Sequence, residues 1–275
     1  MIQRNIKLTI EYDGTSYNGW QTQADVPSIQ SAIKSAIEKV TGEHIKLIGA
    51  GRTDTGVHAK AQAANFITSS GISIERMPYA INAHLPSDIV IKSAQDVRLG
   101  FNARKDAKAR EYRYVIYNGR YRTATDRLYS YHVSFKLDIH AMEQAANYLK
   151  GAHDFTGFSV ILNKAKRSEE SGRSFLDSSA LPQNDTITYY PMYKPDTSKN
   201  IMKLDIEKKD DFIYVTIKAD GFLHHMVRYI VSALIETGRR SMRPEDIRHY
   251  IEPECKKWGL ARAPAKGLFL MNVEY

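Results

Sequence analysis

Ile6, Leu8, Ile10 and Tyr12 alternate with Lys7, Thr9 and Glu11, the period of two that marks a half-buried strand. Asp13-Gly14 ends that alternation in a turn. The period then lengthens. Ile29, Ala32, Ile33, Ala36, Ile37 and Val40 recur at helical spacing behind Ser28, with Gly42 as the stop. Serine is a favoured N-cap and glycine a favoured C-terminal residue, so a helix is predicted between them. Residues 45–48 and 63–67 predict two further strands separated by a glycine-rich loop, and residues 74–83 a short helix.

A second series follows. Residues 111–117 predict a strand after a basic connector, and 139–149 a helix that stops at Gly151. Residues 212–219 predict a strand, 222–237 a long apolar helix, and 268–275 a closing strand. The strand–helix–strand theme of the first half thus recurs without visible sequence identity. This order is α+β with a mixed, mainly antiparallel sheet, and not regular βαβ repetition. A chain of 275 residues accommodates two ordinary domains, here 1–106 and 107–275. Residues 161–210 break the pattern. Lys164, Lys166, Arg167, Glu169 and Glu170 lead into Ser-, Asp-, Asn- and Pro-rich text, and a loop of this length is uncommon unless functional. A hairpin pairing 186–193 with 201–207, bearing on substrate choice, is the expectation for that insertion.

Composition narrows the class. A 43% hydrophobic and 25% charged chain is globular in type. Its apolar runs are broken before 18 residues, so no membrane span is expected. The first residues run straight into a strand pattern and lack a signal-peptide core. Cys255 is the single cysteine, which excludes an internal disulfide or a cysteine zinc cluster and fits a reducing, cytoplasmic setting. The net charge of +8 points to a polyanionic partner. Arg104, Lys105, Lys108, Arg110 and Arg113 crowd ten residues beside Tyr112, Tyr114 and Tyr117. Rings beside phosphate-binding cations are what RNA recognition uses.

The chemistry concentrates in Gly49-Ala50-Gly51-Arg52-Thr53-Asp54-Thr55-Gly56-Val57-His58-Ala59. Such a loop can hold one acid rigidly at the lip of a sheet, as a carboxylate nucleophile requires. An aspartate between glycines is also a common turn former, and spacing alone leaves both readings open. No dinucleotide or P-loop pattern is present.

The loop closely resembles the Gly-Arg-Thr-Asp-x-Gly-Val-His-Ala signature of the TruA family of tRNA pseudouridine synthases. Further stretches match that family in order: 11–21, Phe101-Asn102-Ala103-Arg104, Ala109-Arg110-Glu111-Tyr112-Arg113-Tyr114, His153-Asp154-Phe155-Thr156, 221–228, and Ala263-Pro264-Ala265-Lys266-Gly267-Leu268. The likeness spans about residues 5 to 275. It implies a pseudouridine synthase fold, two α/β-sandwich-like domains whose sheets meet at a central basic cleft. It implies isomerisation of uridine in the tRNA anticodon stem-loop, at positions 38 to 40, by a homodimer without cofactor or metal. A paralogue acting on another RNA such as ribosomal RNA, or a non-catalytic RNA-binding module, are the alternatives.

The resemblance assigns roles residue by residue. Asp54 becomes the nucleophile and Arg228 its basic partner, where a helix arginine snorkelling to solvent is the plainer reading. Tyr112 becomes the residue that stacks on the target base, although packing alone explains a strand tyrosine; Tyr114 is read as core. Leu268 would wall the uracil pocket, as any buried closing-strand leucine could. Arg52 would help displace the target nucleotide, or else simply pair with a surface carboxylate. His58, His224 and His225 show no metal spacing and are read as structural or RNA-contacting.

Overall fold

The computed structural model describes residues 3–158, 196–252 and 260–275. The alternating N-terminal segment forms β1 (Arg4–Tyr12), with Ile6, Leu8, Ile10 and Tyr12 all buried. Helix α1 (Ile29–Thr41) starts where the pattern placed it. Ser28 accepts from the Ser31 amide in a capping box, and Gly42 closes the helix at φ 71°. That positive φ suits a residue without a Cβ.

The strand expected at 45–48 shrinks to β2 (Ile48–Gly49). Side chains have taken the backbone groups a ladder would use: Gln30 donates to the Leu47 carbonyl and Glu38 accepts from the Ile45 amide. Strand β3 (His58–Thr68) is longer than expected, and α2 (Met77–Asn82) shorter. Strand β4 (Ile89–Val97) was not anticipated. It lies at the sheet edge and buries only Ile89 and Ile91, too weak an alternation to read.

In the second half come β5 (Ala109–Tyr117), β6 (Tyr131–His132), α3 (Ile139–Leu149), β7 (Gly151–Asp154), β8 (Ser198–Lys209) and β9 (Phe212–Ala219). Helix α4 (Met226–Gly238) and β10 (Leu268–Glu274) complete the chain. Residues 201–207 do lie in a strand, β8, but it pairs with β7 and β9. The expected partner segment 186–193, like most of the 161–210 insertion, lies outside the described residues.

The strands join into one ten-stranded sheet in the order β4-β1-β3-β10-β5-β9-β8-β7, with β2 added to β3 and β6 to β5. Its long ladders are antiparallel, confirming the mixed, mainly antiparallel α+β reading. The seam between halves is parallel, Phe269 beside His58 and Leu270 beside Ala59. The sheet and its helices bury one continuous apolar cluster, from Ile6 to Leu270, without a break at that seam. Among the described residues every buried side-chain nitrogen and oxygen has a hydrogen-bond partner.

Candidate active site

The Asp54 loop sits at the head of β3, at the seam. Two segments named by the sequence hold it there. From the 11–21 stretch, the Trp20 amide donates to the Thr53 carbonyl at 3.1 Å, and the Gly56 amide donates to the Tyr17 carbonyl at 3.4 Å. Tyr12 and Thr53 hydroxyls meet at 2.8 Å in the core. The contact is close enough that a Cβ on Gly14 would collide with the Val57 carbonyl, and one on Gly19 with the Thr53 carbonyl. These two glycines are therefore explained by approach of backbone to backbone. Behind the loop, Asn5 and Asn65 join in the buried interior, and Asn65 accepts from the Ala103 amide. The Phe101–Arg104 motif is thus tied down as a strut, with Arg104 left at the cleft.

Helix α4 meets the loop from the other half. It starts at Met226, four residues after the expected start, because His225 adopts φ 63°, ψ 3° and cannot continue a helix. Residues 221–225 line the cleft instead. His225 Nδ1 lies 2.7 Å from Asp54 Oδ2, and Arg228 Nη1 donates to the same oxygen at 3.0 Å. Arg228 is buried, with its Nε donating to the Ala263 carbonyl at 2.7 Å. It is a fixed internal cation and not a snorkelling surface arginine. The Ala263–Leu268 motif is anchored again by Tyr114, whose hydroxyl donates to the Pro264 carbonyl at 2.8 Å. Tyr114 is fully buried, as read from sequence.

Electrostatics follow from this geometry. Burial opposes charge on Asp54, but hydrogen bonds and charge from His225 and Arg228 outweigh it and hold the carboxyl below its usual value. Burial likewise lowers His225, and the adjoining Asp54 does not fully offset it. Asp54 is accordingly ionised at neutral pH, with Arg228 as counter-charge and His225 as a second hydrogen-bond donor. Tyr112 is buried edge-on to Phe222, ring centroids 5.1 Å apart, and burial pushes its phenol up to about 12. It stays neutral beside the carboxylate.

These residues line one cleft of about 1000 Å³. Asp54, Tyr112, Arg228, Leu268 and Arg52 all face it, so the five sequence candidates converge in space. Arg52 stands apart from Asp54 at the exposed rim, where its Nε donates to Gln21 at 3.0 Å. Among the described residues it does not pair with a carboxylate. Of the basic stretch, Arg104 and Arg110 reach the cleft, but Arg110 is largely committed to backbone. Its guanidinium donates to the carbonyls of Ala50, Arg104 and Asp220. Arg113, between Tyr112 and Tyr114 on β5, instead packs over the Tyr214 ring.

Sequence reading missed His225 as a partner of Asp54. The signal was its position three before Arg228, a spacing that brings side chains together at a helix start. His58 is buried, and its Nδ1 accepts from the Gly14 amide. Ligand-capable atoms of Asp54, His224 and His225 lie within 4.8 Å of one another. The Arg228 guanidinium already supplies positive charge at Oδ2, which disfavours a cation there.

Fold and site define an α+β enzyme with one ionised carboxylate in the wall of a cationic cleft. A family model described as tRNA pseudouridine synthase matches residues 8–104 and 145–275, and the chain belongs to that family. It is 43% identical to tRNA pseudouridine synthase A of Acetivibrio thermocellus over 272 residues, covering 99% of this chain and 100% of the relative. The corresponding protein of a Thermoanaerobacter species is 39% identical over 99% of this chain and 100% of its own length. That of Brevibacillus brevis is 35% identical at the same coverage.

Proposed function

We propose that this chain converts uridine to pseudouridine in the anticodon stem-loop of tRNA, with Asp54 as the reacting carboxylate. The observation that carries the reading is an aspartate kept ionised by Arg228 and His225 at the wall of an open cationic cleft. The isomerisation breaks the uracil N1–C1′ bond, turns the base, and re-forms the bond through C5, releasing the C5 proton. Oxidation state is unchanged and no redox cofactor is required. An anionic Asp54 serves the cleavage either by bonding to C1′ or by taking a sugar proton from C2′; both need the charged form. Tyr112 stacks on the displaced base, and Leu268 gives its ring an apolar wall. Taking a nucleotide out of its stack costs a few kcal/mol, which Arg52 at the rim helps to offset through the RNA backbone.

The reading carries a division of labour between residues 1–106, which bring Asp54 and Arg52, and residues 107–275, which bring Tyr112, Arg228 and Leu268. It also carries a cytoplasmic homodimer in which one tRNA touches both protomers. Among the described residues no helix is long and apolar enough to cross a membrane. The test is tritium release from C5-labelled uridine in transcribed tRNA. Native protein should release tritium and Asp54→Asn should not, with both variants equally folded. Release undiminished in Asp54→Asn would overturn the role of Asp54. Absence of release from tRNA, with release from ribosomal RNA, would redirect the substrate.

A further inference from the structure

The two oxygens of Asp54 are treated differently. Oδ2 takes both donors, His225 Nδ1 at 2.7 Å and Arg228 Nη1 at 3.0 Å. Oδ1 receives no hydrogen bond from the described residues; His224 Nε2 stands 3.7 Å away, beyond bonding distance. The histidine that makes the shorter bond does so from an unusual backbone. A non-glycine residue at positive φ is strained and warrants a reason. Asn or Gly would occupy φ 63° more easily. The left-handed turn nevertheless leaves the His225 carbonyl free to accept from the Arg228 and Tyr229 amides, at 3.0 and 3.2 Å. Its ring lies tilted against that of His224, with centroids 3.5 Å apart. The strained residue therefore does two things at once. It starts α4, which carries Arg228, and it presents Nδ1 to the carboxylate.

We infer that His225 is a positioning residue for the reaction: its Nδ1–H fixes the Asp54 carboxylate through Oδ2 so that Oδ1 is the oxygen presented to the nucleotide. This rests on the proposed role of Asp54 and adds to it the division of its two oxygens and the residue that sets them. An ionised carboxylate only accepts hydrogen bonds, so the imidazole must carry its proton on Nδ1. Arg228 alone leaves rotation about the carboxylate axis open, because one donor fixes one point. His225 adds a second donor at the same oxygen, so Oδ2 is held twice while Oδ1 is held by no hydrogen bond from the described residues. Besides His225, the groups bearing on Asp54 are Arg228 and His224, with Tyr112 further off; Arg262 bears in turn on His225 and Arg228.

Two substitutions separate this role from a backbone one. His225→Gly relieves the positive φ and removes the donor; His225→Asn also tolerates the φ and places an amide N–H where Nδ1 was. Single-turnover pseudouridine formation in tRNA should fall on the order of 10- to 100-fold in His225→Gly, since a small misplacement of a reacting group has that effect. The dissociation constant for tRNA and the melting temperature should hold, and His225→Asn should recover most of the rate. The acidic limb of the pH–rate profile should move to higher pH in His225→Gly, because a stabiliser of the ionised carboxylate has gone. A glycine variant as fast as native would overturn the inference, as would an asparagine variant no faster than glycine. An NMR measurement of the His225 ring tautomer is independent of turnover. Nδ1-protonated imidazole in native protein supports the inference, and Nε2-protonated imidazole overturns it even if Asp54 proves essential.

Discussion

Asp54 owes its charge to two neighbours that arrive from the opposite half of the chain, and its titration records them. The folded carboxyl titrates below the 3.8 of a free aspartate. Its contribution to stability is therefore complete above that value and is lost as pH falls through the lower folded value. Urea unfolding at stepped pH should show native protein losing stability below 3.8 by an amount that Asp54→Asn does not lose. Arg52 is the residue-scale contrast. Exposed at the rim and, among the described residues, bonded only through Nε to Gln21, it has the rest of its guanidinium available for phosphate. Arg52→Ala should weaken tRNA binding and reduce the slope of log affinity against log salt by about 1. An unchanged slope would argue that Arg52 meets no phosphate.

At the element scale, the loop and helices are fastened by local chemistry that sequence displays openly. Ser28 and Gly42 bracket α1 as capping rules require. Ser28→Ala should cost about 1 kcal/mol, read as a drop in melting temperature of about 2–4 °C. Gly14→Ala is the sharper case. A Cβ there meets the Val57 carbonyl of the Asp54 loop, and backbone cannot yield as a flexible side chain can. Overpacking of this kind costs about 1–3 kcal/mol, and here it should also displace Asp54. Thermal denaturation and tritium release should both suffer, whereas Gly42→Ala, with nothing within 4 Å of its Cβ, should affect stability through φ alone and leave turnover intact. Helix α4 marks the limit of such reading. Its apolar run from Phe222 looks helical in sequence, yet the first turn is spent on aiming residues 221–225 into the cleft.

For the whole molecule, the seam decides the function. Strand order brings β3 beside β10, and so sets the Asp54 loop opposite the α4 terminus and Leu268. Arg110 bridges this junction by donating to Ala50, next to the loop, and to Asp220, before the cleft-lining turn. Lysine offers one charge and no planar fork, so it cannot hold three carbonyls in place. Arg110→Lys should lower both melting temperature and turnover while leaving the salt slope of tRNA binding unchanged. A slope reduced by about 1 would instead make Arg110 a phosphate contact.

Local periodicity and turn chemistry suffice for β1, α1, β5, β9 and β10, because each buries a regular face and ends in residues with marked backbone preferences. The motif residues were also visible, and Asp54, Arg228, Tyr112, Leu268 and Arg52 do reach one cleft. Edge strand β4 escaped notice because it buries little. The shortened β2 escaped because side chains of the preceding helix, Gln30 and Glu38, took its hydrogen bonds. His225 is the most instructive omission. Its identity is plain in the sequence, but its role depends on a positive φ and on a carboxylate 171 residues away. Sequence alone determined the candidate residues and most of the elements that bear them, since those follow from side-chain type and local pattern. Only the tertiary structure decided which oxygen of Asp54 is held by Arg228 and His225, because that is a matter of direction across the seam.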